Sequence, residues 1–325
     1  MTIAAPFPWF GGKSLAASTV WKLLDGATGY IEPFAGSLAV LLARDEPCGV
    51  ETVNDRDGFI ANFWRAVACD PDAVAAHADW PVSEIDLTAR HAWLVNRSER
   101  LRWALEDPDF YDAKIAGWWV WGQCAWIGSG WCSGSGPHVG NGAHVYDSRK
   151  LPHLSNAGRG INRQLPHLSN AGQGINRQLP HLGDAGRGII DVMRALHARL
   201  RRVRVACGEW DRVLTDSVLR SAGSRPAVFL DPPYGEGAVE YSAGGNACGT
   251  VASKAWEWAT ERGDSMRVVV AAYEDGRPVP TGWSVIPWKA RKGYANNDNR
   301  RREVLYASPA CAPLQRATGL FGGCA

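Results

Sequence analysis

Two strand–loop–helix units near the start of the chain constrain its fold more than any other feature. The first passes from a short apolar strand at Tyr30 through the turn 32–37 into an apolar helical run at 38–43. The second passes from a strand at 51–53 into a helix whose apolar side chains share one face: Phe59, Ile60, Phe63, Trp64 and Val67. Consecutive units of this kind place their strands parallel to one another, so we expect a parallel sheet covered by helices.

Later segments supply further strands for the same sheet. Continuous apolar runs at 227–230 and 267–272, with a helical stretch at 253–261 between them, are typical of strands that are buried on both faces. Segments 283–286 and 303–306 predict a closing antiparallel hairpin around a basic loop. The pattern predicts an α/β domain built from the two ends of the chain.

The middle of the chain differs in composition and predicts an insertion. We divide the chain into 1–75, an inserted region at 76–194, and 195–325. The insertion is rich in tryptophan, then in glycine and serine, and carries a 14-residue repeat over 151–190 that starts at Leu151, Leu165 and Leu179. The near-identity of the copies indicates a tandem duplication, because solenoid repeats are longer and more diverged.

Composition excludes several classes of protein. The net charge of +2 does not by itself indicate a polyanionic partner. A signal peptide and an apolar run of membrane-spanning length are both missing from the sequence, which predicts a cytoplasmic protein. The eight cysteines form no C-x-x-C pair, so neither a disulfide framework nor a structural zinc is expected. Duplication accounts for His153, His167 and His181, and no metal site is predicted.

The tetrapeptide Asp231-Pro232-Pro233-Tyr234 is the most informative motif. It directly follows the buried strand at 227–230, and ligands of open parallel sheets bind outside the carboxyl ends of their strands. The two prolines fix the backbone, so that a carboxylate, an unpaired carbonyl and an aromatic ring are held together. This combination suits recognition of a planar base that carries an amino group.

The first strand-to-helix turn predicts a nucleotide-type cofactor site. Glu32-Pro33-Phe34-Ala35-Gly36 precedes a helix N-terminus, where free N–H groups and a glycine allow close approach. Asp55 ends the next strand, 19 residues beyond Gly36, a spacing at which an acid can accept from ribose hydroxyls, although it could equally cap the next helix. The missing G-x-G-x-x-G disfavours NAD and FAD, and Gly12-Lys13-Ser14 lacks the first glycine of a P-loop.

In their order along the chain, these motifs resemble the Dam-like DNA adenine methyltransferases. The matching segments are Trp9-Phe10-Gly11-Gly12-Lys13, the turn Glu32 to Ser37, Asn54-Asp55 and the tetrapeptide at 231–234. The resemblance covers about 120 residues at the two ends of the chain, with the closing strand near 302–305. It implies a Rossmann-like methyltransferase fold, an inserted target-recognition domain and S-adenosylmethionine as cofactor.

The resemblance also implies roles for individual residues. Trp9, Gly11, Gly12 and Lys13 would line the cofactor pocket together with the turn Glu32 to Gly36, and Asp55 would bind the ribose. Asp231 and the carbonyl of Pro232 would accept hydrogen bonds from the exocyclic N6 amine of adenine. Tyr234 would stack on a base that has been flipped out of the duplex.

Other chemistries fit the residues less well, and some remain open. Methylation of a cytosine ring carbon needs a cysteine nucleophile, and Cys48 is not at the relevant strand end. Zinc deamination needs a paired cysteine that Cys48 lacks. Methylation of the cytosine N4 amine uses the same geometry and stays open, as do an RNA or protein amide substrate and a DNA-binding protein with a vestigial site.

Basic clusters flank the predicted cleft and indicate double-stranded DNA as the partner. We predict that DNA phosphates contact Arg149, Lys150, Arg159 and Arg163 in the repeat region and Lys289, Arg291 and Lys292 in the hairpin loop. A further cluster on a predicted helix is expected to contribute through Arg194, Arg199, Arg201, Arg202 and Arg204. The sequence determines neither the recognition site nor whether a cognate restriction enzyme exists.

Overall fold

The computed structural model describes residues 3–9, 13–126, 131–132, 188–233, 248–288 and 303–314. Within these ranges, seven strands form one sheet in the order β3-β2-β1-β4-β5-β7-β6. Their bounds are β1 (Gly29–Glu32), β2 (Val50–Asp55), β3 (Val203–Cys207), β4 (Pro226–Leu230), β5 (Arg267–Tyr273), β6 (Ser284–Pro287) and β7 (Glu303–Ala307). Strands from both ends of the chain therefore lie in the same sheet.

The pairing of the strands is parallel except at one side. β1 pairs in parallel with β2 and β4, β2 with β3, and β4 with β5. β7 lies antiparallel between β5 and β6, which confirms the predicted hairpin. A mostly parallel α/β sheet of this kind is compatible with the predicted fold class, while β3, at the edge, is a strand that the sequence patterns did not reveal.

Ten α-helices are present in the described ranges. They are α1 (Ala17–Leu23), α2 (Ala39–Leu42), α3 (Gly58–Cys69), α4 (Pro71–Ala78), α5 (Glu84–Val95), α6 (Ser98–Ala104), α7 (Ala113–Ala125), α8 (Ile189–Leu200), α9 (Asp216–Ser221) and α10 (Cys248–Arg262). Two 3-10 helices are also described: Lys13–Leu15, which precedes α1, and Trp210–Val213, which follows β3. Among the described residues, no helix has both the length and the apolar character needed to span a membrane.

Alternation along the strands separates the core into two layers. Tyr30 and Phe229 belong to one apolar cluster, which includes residues of α1 to α8. Ile31 and Val228 belong to a second cluster, which includes residues of α9 and α10. Because neighbouring strand residues point to opposite faces, the sheet is covered by helices on both sides, as continuous apolar strands require.

The tryptophan-rich helix α7 packs closely against α3 and α4. Asn62 of α3 and Asp112 at the start of α7 exchange two hydrogen bonds of 2.9 Å each. A Cβ atom at Gly117 would lie 2.4 Å from the His77 side chain of α4, so glycine permits the close approach of these helices. Trp119 and Trp121 are fully buried, as expected of an aromatic cluster that forms a core.

The repeat copies and most of the predicted DNA contacts lie outside the described residues. These contacts are Arg149, Lys150, Arg159, Arg163, Lys289, Arg291 and Lys292. The boundaries of the insertion also stay a prediction, although α4 to α7 share an apolar cluster with strand residues of the sheet.

Candidate active site

The sheet has a topological switch point between β1 and β4. The chain leaves β1 towards β2 on one side, whereas β4 pairs with the other side of β1. Helices that leave two such strands in opposite directions open a crevice at their carboxyl ends, which is where ligands bind in open α/β sheets. Glu32 ends β1 and Asp231 directly follows β4, so both carboxyl groups lie at this crevice.

Asp231 forms an ion pair with Lys13. The Lys13 ammonium nitrogen (Nζ) lies 2.9 Å from the Asp231 carboxylate, and the Lys13 side chain is only 3% exposed. The ammonium also lies over the Trp288 ring, 5.7 Å from its centre. The structure thus joins two residues that are 218 positions apart in the sequence, a contact that no local pattern could have revealed.

Glu32 is buried in the same crevice. The Tyr30 hydroxyl donates a 3.0 Å hydrogen bond to its carboxyl group. Burial raises the pKa of Glu32 well above its usual value, and the nearby negative charge of Asp231 adds to the shift, while the Tyr30 hydrogen bond opposes it. Tyr30 is itself buried, which raises the pKa of its hydroxyl.

The turn after β1 is fixed by residues of β2 and α3. The Asn54 amide donates to the carbonyl of Pro33 at 3.1 Å, and the Ala35 N–H donates to the Asn54 carbonyl at 2.9 Å. The Trp64 indole donates to the carbonyl of Gly36 at 3.0 Å. These contacts hold the turn rigidly, and the role of Trp64 was not predicted from the sequence.

Gly36 has a backbone φ of +46°, which disfavours other residues. A Cβ atom there would lie 2.6 Å from the Trp9 indole, so the half-buried Trp9 ring covers this glycine. Leu38 follows with a φ of 53°, an unfavourable value for a leucine. Strained backbone of this kind concentrates at functional sites.

Asp55 accepts backbone hydrogen bonds at the end of β2. Its two carboxylate oxygens accept from the N–H groups of Gly36 and Asp57, each at 2.9 Å. Asp57 is the cap of α3, since its own carboxylate accepts from the Phe59 N–H. Burial raises the pKa of Asp55 to about 7, against the opposing effect of these hydrogen bonds.

Aromatic rings line the same end of the sheet. Phe34, after β1, stacks on Trp210, after β3, with 5.9 Å between the ring centres and 20° between their planes. The sequence predicted Phe34 but not Trp210, because Trp210 belongs to a strand end that the patterns did not reveal. Of the remaining predicted residues, Pro232 is buried and Pro233 half-buried, while Gly11, Gly12 and Tyr234 lie outside the described residues.

One predicted DNA contact is wrong. Arg199 of α8 is buried, and its guanidinium binds the Glu51 carboxylate of β2 and the carbonyls of Leu41 and Arg44. Arg194 of the same helix is exposed and pairs with Asp72. A run of basic residues on a helix predicts an exposed surface, but the guanidinium of Arg199 is satisfied inside the protein.

Two described side chains, Asp55 and Asn54, have oxygen atoms that could accept hydrogen bonds from a cofactor. A carboxylate has about four lone-pair hydrogen-bond sites, and backbone N–H groups of Gly36, Arg56 and Asp57 use three of those on Asp55. The side-chain oxygen of Asn54 is buried and accepts no hydrogen bond from the described residues. These acceptors beside a glycine turn and stacked rings fit a ligand with hydroxyl groups and a planar base.

Comparison with known proteins finds a family match in the N-terminal part of this chain. A model of the D12 class N6 adenine-specific DNA methyltransferase family matches residues 9–100. The chain is also 29% identical over 105 residues to the retron Ec67 DNA adenine methylase of Escherichia coli, which is 32% of this chain. It spans about a third (35%) of the length of that relative. The predicted resemblance to Dam-like adenine methylases is therefore confirmed for the segment that contains Lys13, Glu32 and Asp55.

Proposed function

We propose that this protein is a DNA adenine methyltransferase. It transfers a methyl group from S-adenosylmethionine to the N6 amine of an adenine that has been flipped out of double-stranded DNA. The observation that carries the proposal is the Lys13–Asp231 ion pair at the switch point, because it joins the family-matched segment to the strand end that carries the tetrapeptide. The fold is then a Rossmann-like methyltransferase fold with residues 76–194 as the target-recognition insertion.

The cofactor is held by the turn after β1 and by the end of β2. Asp55 accepts hydrogen bonds from the ribose hydroxyls, and the turn Glu32 to Gly36, with Trp9 over the glycine, surrounds the methionine part. Gly11 and Gly12 complete this pocket next to Lys13. When bound, S-adenosylmethionine supplies an electrophilic methyl group on a sulfonium.

Asp231 positions the nucleophile. Its carboxylate and the carbonyl of Pro232 accept hydrogen bonds from the two N–H bonds of the adenine amine, which turns the nitrogen lone pair towards the methyl group. Lys13 fixes the carboxylate in this orientation, and Tyr234 stacks on the base. Catalysis by positioning of this kind needs no covalent enzyme intermediate.

DNA binding uses the basic residues of the repeat region and of the hairpin loop. Arg149, Lys150, Arg159, Arg163, Lys289, Arg291 and Lys292 neutralise phosphates, so affinity falls steeply with salt. A base inside the duplex cannot reach the crevice, and flipping brings its amine to Asp231.

The proposal is tested by transfer of labelled methyl groups from S-adenosylmethionine to unmethylated double-stranded DNA, with the product nucleosides separated by mass spectrometry. N6-methyladenine is expected. N4-methylcytosine would retain the mechanism and change the base, whereas cofactor binding without any DNA product would refute the proposed substrate.

A pair of variants tests the role of Asp231. Asp231→Ala is expected to abolish transfer and to leave cofactor binding within a few fold. Asp231→Asn retains one acceptor oxygen and should lose less activity. Turnover by Asp231→Ala at the wild-type rate would remove Asp231 from the reaction.

A further inference from the structure

Among the described residues of the crevice, carboxyl groups outnumber cations. On the face of the sheet that carries Tyr30, the carboxyl groups of Glu51, Glu32 and Asp231 come from β2, β1 and the end of β4. Two cations accompany them, Lys13 and Arg199, both less than 10% exposed. Among the described residues, Glu51 and Asp231 are each bound by one of these cations, no cation binds Glu32, and Asp55 on the same face is bound by backbone N–H groups.

Both cations are bound to carboxylates other than Glu32. Lys13 pairs with Asp231 at 2.9 Å, and Arg199 binds both oxygens of Glu51. Within the ranges that the structure describes, no lysine or arginine forms an ion pair with Glu32, whose hydrogen-bond donors are the Tyr30 hydroxyl and the Leu41 backbone N–H. Glu32 is 3% exposed, so water does not solvate an uncompensated charge there.

We propose that Glu32 distinguishes the sulfonium cofactor from its thioether product by changing its protonation. This inference rests on the proposed function. Glu32 carries a proton in the free protein and releases it when a positive charge enters the crevice at the switch point. It takes up a proton again when that charge disappears.

Several groups set the charge that Glu32 experiences. Tyr30 donates to it from its own strand, Asp231 repels its ionised form from β4, and Glu51 does so from β2. Arg199 and Lys13 offset the charges of Glu51 and Asp231. The raised pKa of Glu32 agrees with a buried carboxyl group to which no described cation is bound.

The methyl transfer changes the charge at the sulfur by one. The amine nitrogen forms a bond to the methyl carbon while the carbon–sulfur bond breaks and leaves its electron pair on sulfur. The methylated amine then releases one proton. Glu32 takes up one proton over the same step, so it favours the cationic substrate over the neutral product and promotes release of S-adenosylhomocysteine.

Calorimetric titration in two buffers of different ionisation enthalpy measures the protons released on binding. S-adenosylmethionine and S-adenosylhomocysteine are compared at about pH 6.5, below the ordinary range of an α-amino group, so that the amine of each ligand is protonated. Asp55, with a pKa of about 7, also titrates in this range, and the Glu32→Gln variant below separates its contribution from that of Glu32. The wild type is expected to release up to one proton more with S-adenosylmethionine.

Two variants separate this role from a structural one. Glu32→Gln keeps an acceptor for the Tyr30 hydroxyl, and should abolish the proton difference and reduce the preference for S-adenosylmethionine about tenfold, the equivalent of one pKa unit. Tyr30→Phe keeps the carboxyl group but removes the hydrogen bond that favours its ionisation. It should keep the proton difference and move it to higher pH.

The outcomes distinguish the two proposals. Equal proton release with both ligands in the wild type, or a difference that persists in Glu32→Gln, would refute the role of Glu32 and leave the proposed function intact. A folded wild-type protein that binds neither ligand would overturn both. Circular dichroism and the melting temperature of each variant establish that it is folded.

Discussion

At the scale of single residues, the site is a set of carboxyl groups in different environments. Asp231 has a lysine as its ionic partner, Asp55 has backbone N–H donors, and Glu32 has a tyrosine hydroxyl together with one backbone N–H. These environments suit, in turn, the orientation of an amine, the acceptance of hydrogen bonds from hydroxyl groups, and a response to charge. The type of partner, and not the residue type alone, separates the three roles.

Replacement of Lys13 by methionine tests the orientation of Asp231. Lys13→Met keeps much of the side-chain volume and removes the cation, so the Asp231 carboxylate loses its fixed position. We expect kcat to fall about 100-fold, the order of loss when a reacting group is misplaced by about 1 Å. Single-turnover rates measure this effect, and Lys13→Arg, which keeps the charge, should recover part of the loss. An unchanged rate in Lys13→Met would show that the ion pair has no part in catalysis.

Asp55 gives the free protein a dependence of stability on pH. Burial raises its pKa from 3.8 to about 7 in the folded state. Its contribution to stability is therefore fully present below the unfolded pKa and is lost as pH rises through 7. Glu32, whose pKa burial also raises, acts in the same direction.

We expect the free energy of unfolding of the wild type to fall between about pH 4 and pH 8, and Asp55→Asn to show a smaller fall. Urea denaturation of both proteins across this range measures the two slopes. Parallel slopes would contradict a titration of Asp55 in this range.

At the scale of elements, the sequence predicted the strands that are continuous and apolar. The continuous apolar patterns at 227–230 and 267–272 lie within β4 and β5, because strands buried on both faces have no polar alternation to obscure them. The strand predicted at 51–53, where Val53 is the apolar residue, lies within β2. β3 was missed, since it is a half-buried edge strand preceded and interrupted by arginines. A local apolar pattern reflects burial of the side chains. An edge strand such as β3 is too little buried to have such a pattern.

The candidate site shows the same limit. Glu32, Asp55 and Asp231 could be predicted because each follows a recognisable strand. The partners Lys13 for Asp231, Trp210 for Phe34 and Trp64 for the turn could not, because they are distant in sequence and meet only through the sheet.

Arg199 ties α8 to β2 and α2, and its replacement should destabilise the protein. Arg199→Met leaves the Glu51 carboxylate buried without its cation, a change that costs about 3–5 kcal/mol in comparable pairs. The double variant Arg199→Met/Glu51→Gln removes both charges and should recover a large part of the loss. Chemical denaturation measures the free energy of unfolding of both variants and of the wild type. Equal stability of the single variant and the wild type would contradict a structural role for the pair.

At the scale of the whole molecule, the order of the strands positions the reaction. β1 lies between β2 and β4, so the proposed cofactor residues at the ends of β1 and β2 meet Asp231 at one crevice, although Asp55 and Asp231 are 176 positions apart in sequence. We therefore expect that the repeat region, 151–190, can vary in length without moving either half of the site, provided that α8 keeps its place.

Removal of one repeat copy tests this independence. Deletion of residues 165–178 shortens the insertion by one period of 14 residues. If the copies form an expanded loop, the melting temperature should stay within about 2 °C, because added loop length has a small entropic cost. Differential scanning calorimetry measures it, and a protein that no longer folds would show that the copies pack into a core.

The position of β7 has a consequence for synthesis on the ribosome. β7 lies between β5 and β6, yet it is translated after both. A nascent chain that has already exposed β5 and β6 therefore still lacks the strand that joins them, and the N–H and C=O groups along one side of β5 have no partner. Unpaired strand edges attract other chains. Translation products that end before residue 303 should therefore aggregate, whereas products that also contain β7 should be soluble.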